Sequence, residues 1–179
     1  MLYIGLAIVG VAAFVPNPGT RLPSMGKPKV TDLYGNMPLS FERNDGQTDA
    51  QVKFLSRGNG YTLFLTPAES ILALRKSPKE AAAVLRIKMT GANPAPRVEG
   101  RETDQLAGRS NYFIGNDPKE WRTNIPSYSR VWYRGVYPGI DLVYYGANQR
   151  QLEYDFVVAP GANPDSIGLR FEGAKQLTL

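Results

Sequence analysis

The chain has 179 residues, of which 42% are hydrophobic and 21% are charged, values typical of a globular protein with a packed core. It contains no cysteine and no histidine, so it forms no disulfide and cannot build a Ser-His-Asp or Cys-His nucleophile. The formal net charge is +5, but the basic residues are scattered rather than clustered, which indicates a basic surface and does not favour nucleic-acid binding.

Residues 2–15 form an unbroken run of apolar residues and glycine, LYIGLAIVGVAAFV. The run is shorter than the about 20 residues that span a bilayer, and it matches the apolar region of a secretory signal with small residues before the cleavage point. No Lys or Arg precedes it, so a buried N-terminal strand or helix is the alternative. We predict a signal peptide over 1–15, an extracytoplasmic location (secreted or cell surface), and a flexible Pro/Gly-rich linker over 16–37.

From residue 38 onward, short runs of alternating apolar and polar residues are separated by Gly, Pro and Asn, which predicts half-buried antiparallel strands. Over residues 151–158, for example, Leu152, Tyr154, Phe156 and Val158 share one face and the charged residues take the other. Only residues 78–83 have helical composition, for about one turn. The predicted strands cover 39–42, 52–57, 61–66, 71–75, 84–90, 110–114, 121–125, 131–136, 140–145, 151–158 and 167–171.

This pattern predicts an all-β protein, an antiparallel β-sandwich over residues 38–179. The last five residues, KQLTL, resemble the start of another strand. We therefore expect the sandwich to be incomplete at its C-terminal end.

The second half of the chain is rich in aromatic residues that could contact a ligand. Trp121, Trp132, Tyr133 and Tyr145 are the candidates, because an exposed aromatic ring stacks on the apolar face of a sugar. Adjacent residues of a strand point to opposite faces, so Trp132 and Tyr133 cannot both enter one core. The alternative is a two-layer packing that buries both faces.

The loop NDGQTD over 44–49 carries several oxygen donors in a row, and Asp45 and Asp49 are its candidate Ca²⁺ ligands. The alternative is an Asx-type turn in which the same side chains bind their own backbone. No other cofactor is predicted.

Three carboxylates on neighbouring predicted strands, Glu153, Asp155 and Asp141, are the only candidates for hydrolytic chemistry. Such chemistry needs two carboxyl groups about 5–10 Å apart in a cleft. The alternative, which we favour, is a solvated strand face with arginines opposite the acids. We therefore predict that the protein is not an enzyme.

Three stretches of the chain, 38–67, 111–146 and 151–174, are long enough to be compared with known families. They resemble the N-terminal domain of bacterial surface proteins that carry SBBP (seven-bladed β-propeller) repeats. The resemblance implies an exported, non-catalytic module, structural or adhesive, that precedes a propeller array in a longer chain and has the propeller repeats as its partner. It carries over no site residues. The aromatic residues support the alternative, a carbohydrate-binding module that recognises surface glycans.

Overall fold

The computed structural model describes residues 2–7, 39–58, 60–75, 83–147 and 151–173. These residues form thirteen β-strands and three short 3-10 turns without any α-helix, so the predicted all-β class is confirmed. The strands are β1 (Leu2–Ala7), β2 (Phe41–Arg43), β3 (Phe54–Gly58), β4 (Tyr61–Leu65), β5 (Glu69–Leu74), β6 (Ala83–Thr90), β7 (Arg97–Glu99), β8 (Gln105–Tyr112), β9 (Arg122–Tyr128), β10 (Arg130–Tyr137), β11 (Ile140–Ala147), β12 (Gln151–Val158) and β13 (Gly168–Glu172).

The strands form two antiparallel sheets that pack face to face, as the predicted sandwich requires. The larger sheet has eight strands in the order β13-β6-β5-β4-β3-β2-β9-β8. The smaller one has the order β1-β12-β11-β10-β7, five strands in all. Its centre is the meander β10-β11-β12, whose short connections keep consecutive strands adjacent.

The core lies between the sheets and is built from the inward sides of these strands. As predicted, the inward face of β12 carries the apolar residues from Leu152 to Val158, all buried. Tyrosine hydroxyls of the smaller sheet form hydrogen bonds to the larger sheet across the core. That of Tyr137 lies 3.0 Å from the carbonyl oxygens of Thr90 and Gly168. The hydroxyl of Tyr133 donates to the carbonyl oxygen of Thr66 at 2.9 Å, and the hydroxyls of Tyr144 and Ser70 are hydrogen-bonded to each other.

The structure differs from the predicted strands mainly at the sheet edges. Arg97–Glu99 forms the three-residue edge strand β7, which the sequence did not predict because it is too short to show alternation. The strand predicted over 110–114 instead runs over Gln105–Tyr112. Its start was missed because a polar edge strand has no apolar face, and so its sequence shows no alternation. Strand β9 continues through Pro126, which lies beyond the pairing with β2, so its missing N–H removes no hydrogen bond from that ladder.

At the N-terminus, Leu2–Ala7 pairs with β12 in antiparallel register, from Leu2 opposite Val158 to Ala7 opposite Glu153. This strand falls within the predicted signal peptide, which stays a prediction. The predicted linker 16–37 and the run 175–179 lie outside the described residues. Of the helical turn predicted over 78–83 only Ala83 is described, and it begins strand β6. Among the described residues no helix is long and apolar enough to cross a bilayer.

Candidate ligand-binding groove

The outer face of the five-stranded sheet gathers charged and aromatic side chains. Alternation along β10, β11 and β12 buries Tyr133, Leu142 and Phe156, so their neighbours point away from the core. The strand register then sets these outward residues side by side in rows. One row is Arg130, Tyr145 and Glu153, and the next is Trp132, Val143 and Asp155.

Five of these side chains line a single groove of about 240 Å³, which we call the outer groove. They are Arg130, Trp132, Val143, Tyr145 and Asp155. Val143 is only 4% exposed although it points away from the main core, so it forms the floor. The groove therefore combines an apolar floor with aromatic, cationic and anionic groups.

Trp132 is held in place on more than one side. Its indole Nε1–H donates to a carboxylate oxygen of Asp104 at 2.9 Å, and the guanidinium of Arg101 lies 3.6 Å from the centre of its ring. The guanidinium of Arg134 lies 4.8 Å from the same ring. Such cation–π contacts stabilise the ring, so Trp132 is a fixed wall of the groove.

Arg134 and two carboxylates brace one side of this wall. Its Nη1 lies 2.5 Å from Oδ2 of Asp141 and its Nε lies 3.1 Å from Oε1 of Glu99. Burial alone would lower the pKa of Arg134, but its hydrogen bonds to Asp141 and Glu99 raise it above its ordinary value. Asp141 also accepts from the backbone N–H of Gly135, so it is committed to local structure.

Tyr145 and Asp155 form a hydrogen-bonded pair within the outer groove. The Tyr145 hydroxyl donates to Oδ2 of Asp155 at 3.0 Å. Partial burial, followed by this hydrogen bond and the negative charges of Asp155 and Glu153, raises the pKa of Tyr145 well above its ordinary value. The hydroxyl thus stays protonated at neutral pH, and it donates to one of the two carboxylate oxygens of Asp155.

Arg130 differs from the other groove residues, because its guanidinium has no hydrogen bond or ion pair within the part of the chain that the structure describes. It is exposed and lies directly across the ladder from Tyr145. A guanidinium offers five N–H donors in a planar fork. In the outer groove these donors are available to a ligand.

The four predicted ligand-binding residues are not all brought together. Trp132 and Tyr145 line the outer groove, whereas the Tyr133 side chain is fully buried between the sheets and bonded to Thr66. Trp121 lies at the far end of the hairpin β8–β9. The sequence held the signal for Trp132, because Arg130 and Arg134 share its strand parity and mark that face as the polar one.

The predicted metal-binding loop is organised as a turn. Asp45 forms a two-pronged ion pair with Arg43, at 2.6 and 2.8 Å, and Asp49 accepts from the backbone N–H of Gln51. Asn44 spans the loop by donating to the carbonyls of Asp49 and Val52. Among the described residues no three acidic side chains converge as a metal site would require.

Comparison with known proteins places the chain in a family without assigning a chemistry. Searches of curated proteins and of solved structures gave no match. Residues 41–179 match the family model described as "Domain of unknown function (DUF7948)", which covers well over half of the chain. The chain therefore belongs to the DUF7948 family.

Proposed function

We propose that this domain is a non-catalytic extracytoplasmic module with a structural or adhesive role, and that it binds a saccharide in the outer groove. The observation that carries the proposal is the convergence of Tyr145, Trp132, Arg130 and Asp155 on one concave site over an apolar floor.

A saccharide suits this groove because its ring has apolar C–H faces and a rim of hydroxyl groups. Val143 and the Tyr145 ring supply apolar contact, Arg130 supplies donors, and Asp155 supplies an acceptor. The guanidinium groups of Arg101 and Arg134 already contact the Trp132 ring, so Trp132 serves as a fixed wall of the groove and Tyr145 is the ring that stacks on the sugar. The volume of about 240 Å³ lies below the about 300–1,000 Å³ of sites for drug-sized ligands, which suits one sugar unit or a chain end.

The chemistry of the face supports a binding role over a catalytic one. The sequence has no histidine and no cysteine. Of the three predicted acidic candidates, Asp141 is paired with Arg134, and Asp155 is bonded to Tyr145. A general acid or base must be free to exchange a proton with the substrate, and these two carboxylates are instead engaged by side chains of the protein itself.

The location and partners in this proposal come from the sequence. The apolar run at 2–15 supports export, and the resemblance to domains that precede SBBP repeats supports a propeller array as the intramolecular partner. Surface glycans are the proposed ligands. Nucleic acid is disfavoured because the basic residues are scattered along the chain and several are paired with acids, at Arg43, Arg57, Arg86, Lys88 and Arg134.

The test is a glycan array probed with the whole chain, followed by calorimetry on any sugar retained. Arg130→Ala should weaken binding about tenfold, which corresponds to about 1.4 kcal/mol. Arg170→Ala is the matched control, because Arg170 is an exposed arginine on β13 in the other sheet. An array that retains nothing, or equal losses in the two variants, would contradict the proposal.

A further inference from the structure

The hairpin β8–β9 ends in an exposed apolar tip. Phe113 and Ile114 are 63% and 62% exposed, the two highest values among the exposed large hydrophobic residues that the structure describes, and Trp121 is 37% exposed. They lie at the two ends of the connection between Tyr112 and Arg122, at the edge of the eight-stranded sheet. We call these three side chains the hairpin tip.

Contacts inside the connection hold the hairpin tip in shape. The ring of Trp121 meets Phe113 edge-on, with ring centres 5.1 Å apart, and its Nε1–H donates to the carbonyl of Gly115 at 3.2 Å. Asp117 caps the 3-10 turn over Pro118–Glu120 through the backbone N–H of Lys119. The indole N–H is thus paired within its own loop, while Trp121 remains partly exposed beside Phe113 and Ile114.

The size of the hairpin tip separates two kinds of partner. Large side chains carry about 150–250 Å² each, so the tip exposes roughly 300 Å². A stable protein–protein interface covers about 800 Å² on each partner. A bilayer needs no such complementary area, because apolar and indole side chains each enter the interfacial zone independently.

Charge favours an anionic bilayer over a neutral one. Within the connection Asp117 and Glu120 exceed Lys119 by one negative charge, which Arg122 at the start of β9 offsets, so the hairpin tip has no local excess of negative charge to repel anionic lipid. The chain as a whole carries +5, which attracts it to a negative surface over about one Debye length. We propose that the hairpin tip inserts Phe113, Ile114 and Trp121 into the interfacial region of an anionic lipid bilayer.

The experiment is vesicle co-sedimentation of the whole chain, using vesicles of equal parts phosphatidylcholine and phosphatidylglycerol and vesicles of phosphatidylcholine alone. The wild type should sediment with the anionic vesicles, its tryptophan emission should shift to the blue, and binding to neutral vesicles should be weaker. Combining Phe113→Ser with Ile114→Ser should weaken binding at least tenfold. The matched control is Leu74→Ser, because Leu74 is an apolar residue 41% exposed on β5, and it should change nothing.

Three results would overturn the inference. The wild type could stay in the supernatant with both kinds of vesicle, or Leu74→Ser could weaken binding as much as the tip variant does. In the third, the wild type self-associates without lipid and the tip variant is monomeric, which would mark the tip as a protein contact. Unchanged thermal unfolding of the variants shows that the substituted chains are folded.

Discussion

Replacing adjacent residues of β12 tests the strand register on which the outer groove depends. Phe156 points into the core and is 4% exposed, whereas Asp155 points into the outer groove. A shift of one residue in the register would exchange the two faces and would place Asp155 between the sheets. The substitutions Phe156→Ala and Asp155→Ala therefore have sharply different expected costs.

For Phe156→Ala we expect a loss of about 3–5 kcal/mol in the free energy of unfolding, the usual cost of removing a buried phenyl ring. The ring packs edge-on against Tyr154 at 6.1 Å between ring centres and lies opposite Leu142 in the ladder, so a cavity would open within the core. For Asp155→Ala we expect about 0.5–1.5 kcal/mol, because one hydrogen bond to Tyr145 is lost at a partly exposed site. The free energy of unfolding of a folded domain is about 5–15 kcal/mol in total, so the loss at Phe156 is a large part of it.

Urea denaturation followed by circular dichroism measures both losses. If unfolding stays two-state, the slope of the free energy of unfolding against urea concentration should be the same in the variants as in the wild type. Lys88→Ala is a surface control, because among the described residues Lys88 forms a partly exposed ion pair with Glu172, and its loss should cost under about 0.5 kcal/mol. Equal losses at Phe156 and Asp155, or a larger loss at Asp155, would refute the register and the outer groove with it.

Three further predictions concern the core, a close contact and the N-terminus. Burial raises the pKa of Tyr133 and Tyr144 above the ordinary 10.0, so with rising pH these hydroxyls lose their protons first in the unfolded chain. Their contribution to the free energy of unfolding should therefore be fully present below pH 10 and fall as the pH rises further. Phenolate absorbance from these two tyrosines should appear only when the chain unfolds. An early, fully reversible titration of every tyrosine in the folded state would contradict this. Gly146→Ala should destabilise the sandwich by about 1–3 kcal/mol, because the new Cβ would overlap the side chain of Leu39 and lie 3.1 Å from its backbone nitrogen. A neutral effect in thermal unfolding would contradict this close contact. If the predicted signal peptide is removed, the exported protein lacks Leu2–Ala7, and its intact mass corresponds to a chain that starts after this strand. Amide exchange along β12 should then be faster than in the whole chain, because β12 has lost its pairing partner. An exported protein that retains these residues would contradict cleavage.

The sequence predicted the centre of each sheet better than its edges. Central strands such as β12 are buried on one face, and that burial imposes the alternation that we recognised. Edge strands such as β7 and β8 have little to bury, so their sequences carry no comparable pattern. Their positions are fixed by pairing with β10 and β9, which sequence periodicity does not report.

The candidate site could be predicted in part for the same reason. Strand parity identifies Trp132 and Tyr145 as residues of one face, but it does not reveal which of two adjacent aromatics enters the core. Arg101 and Asp104 contact Trp132 although they precede it by 31 and 28 residues in the chain. Both lie at the 3-10 turn over Glu102–Asp104, Arg101 directly before it and Asp104 as its last residue. No local pattern encodes such a contact, and it appears only once the sheets are assembled.

Nuclear magnetic resonance of the indole N–H groups tests the central claim most directly, because the chain has only two tryptophans and they lie at different surfaces. Titrating the labelled protein with the saccharide that the array retains should shift the Trp132 signal, since Trp132 lines the outer groove, and should leave the Trp121 signal at the hairpin tip in place. A Trp132 signal that stays fixed at saturating sugar would contradict a saccharide site in the outer groove.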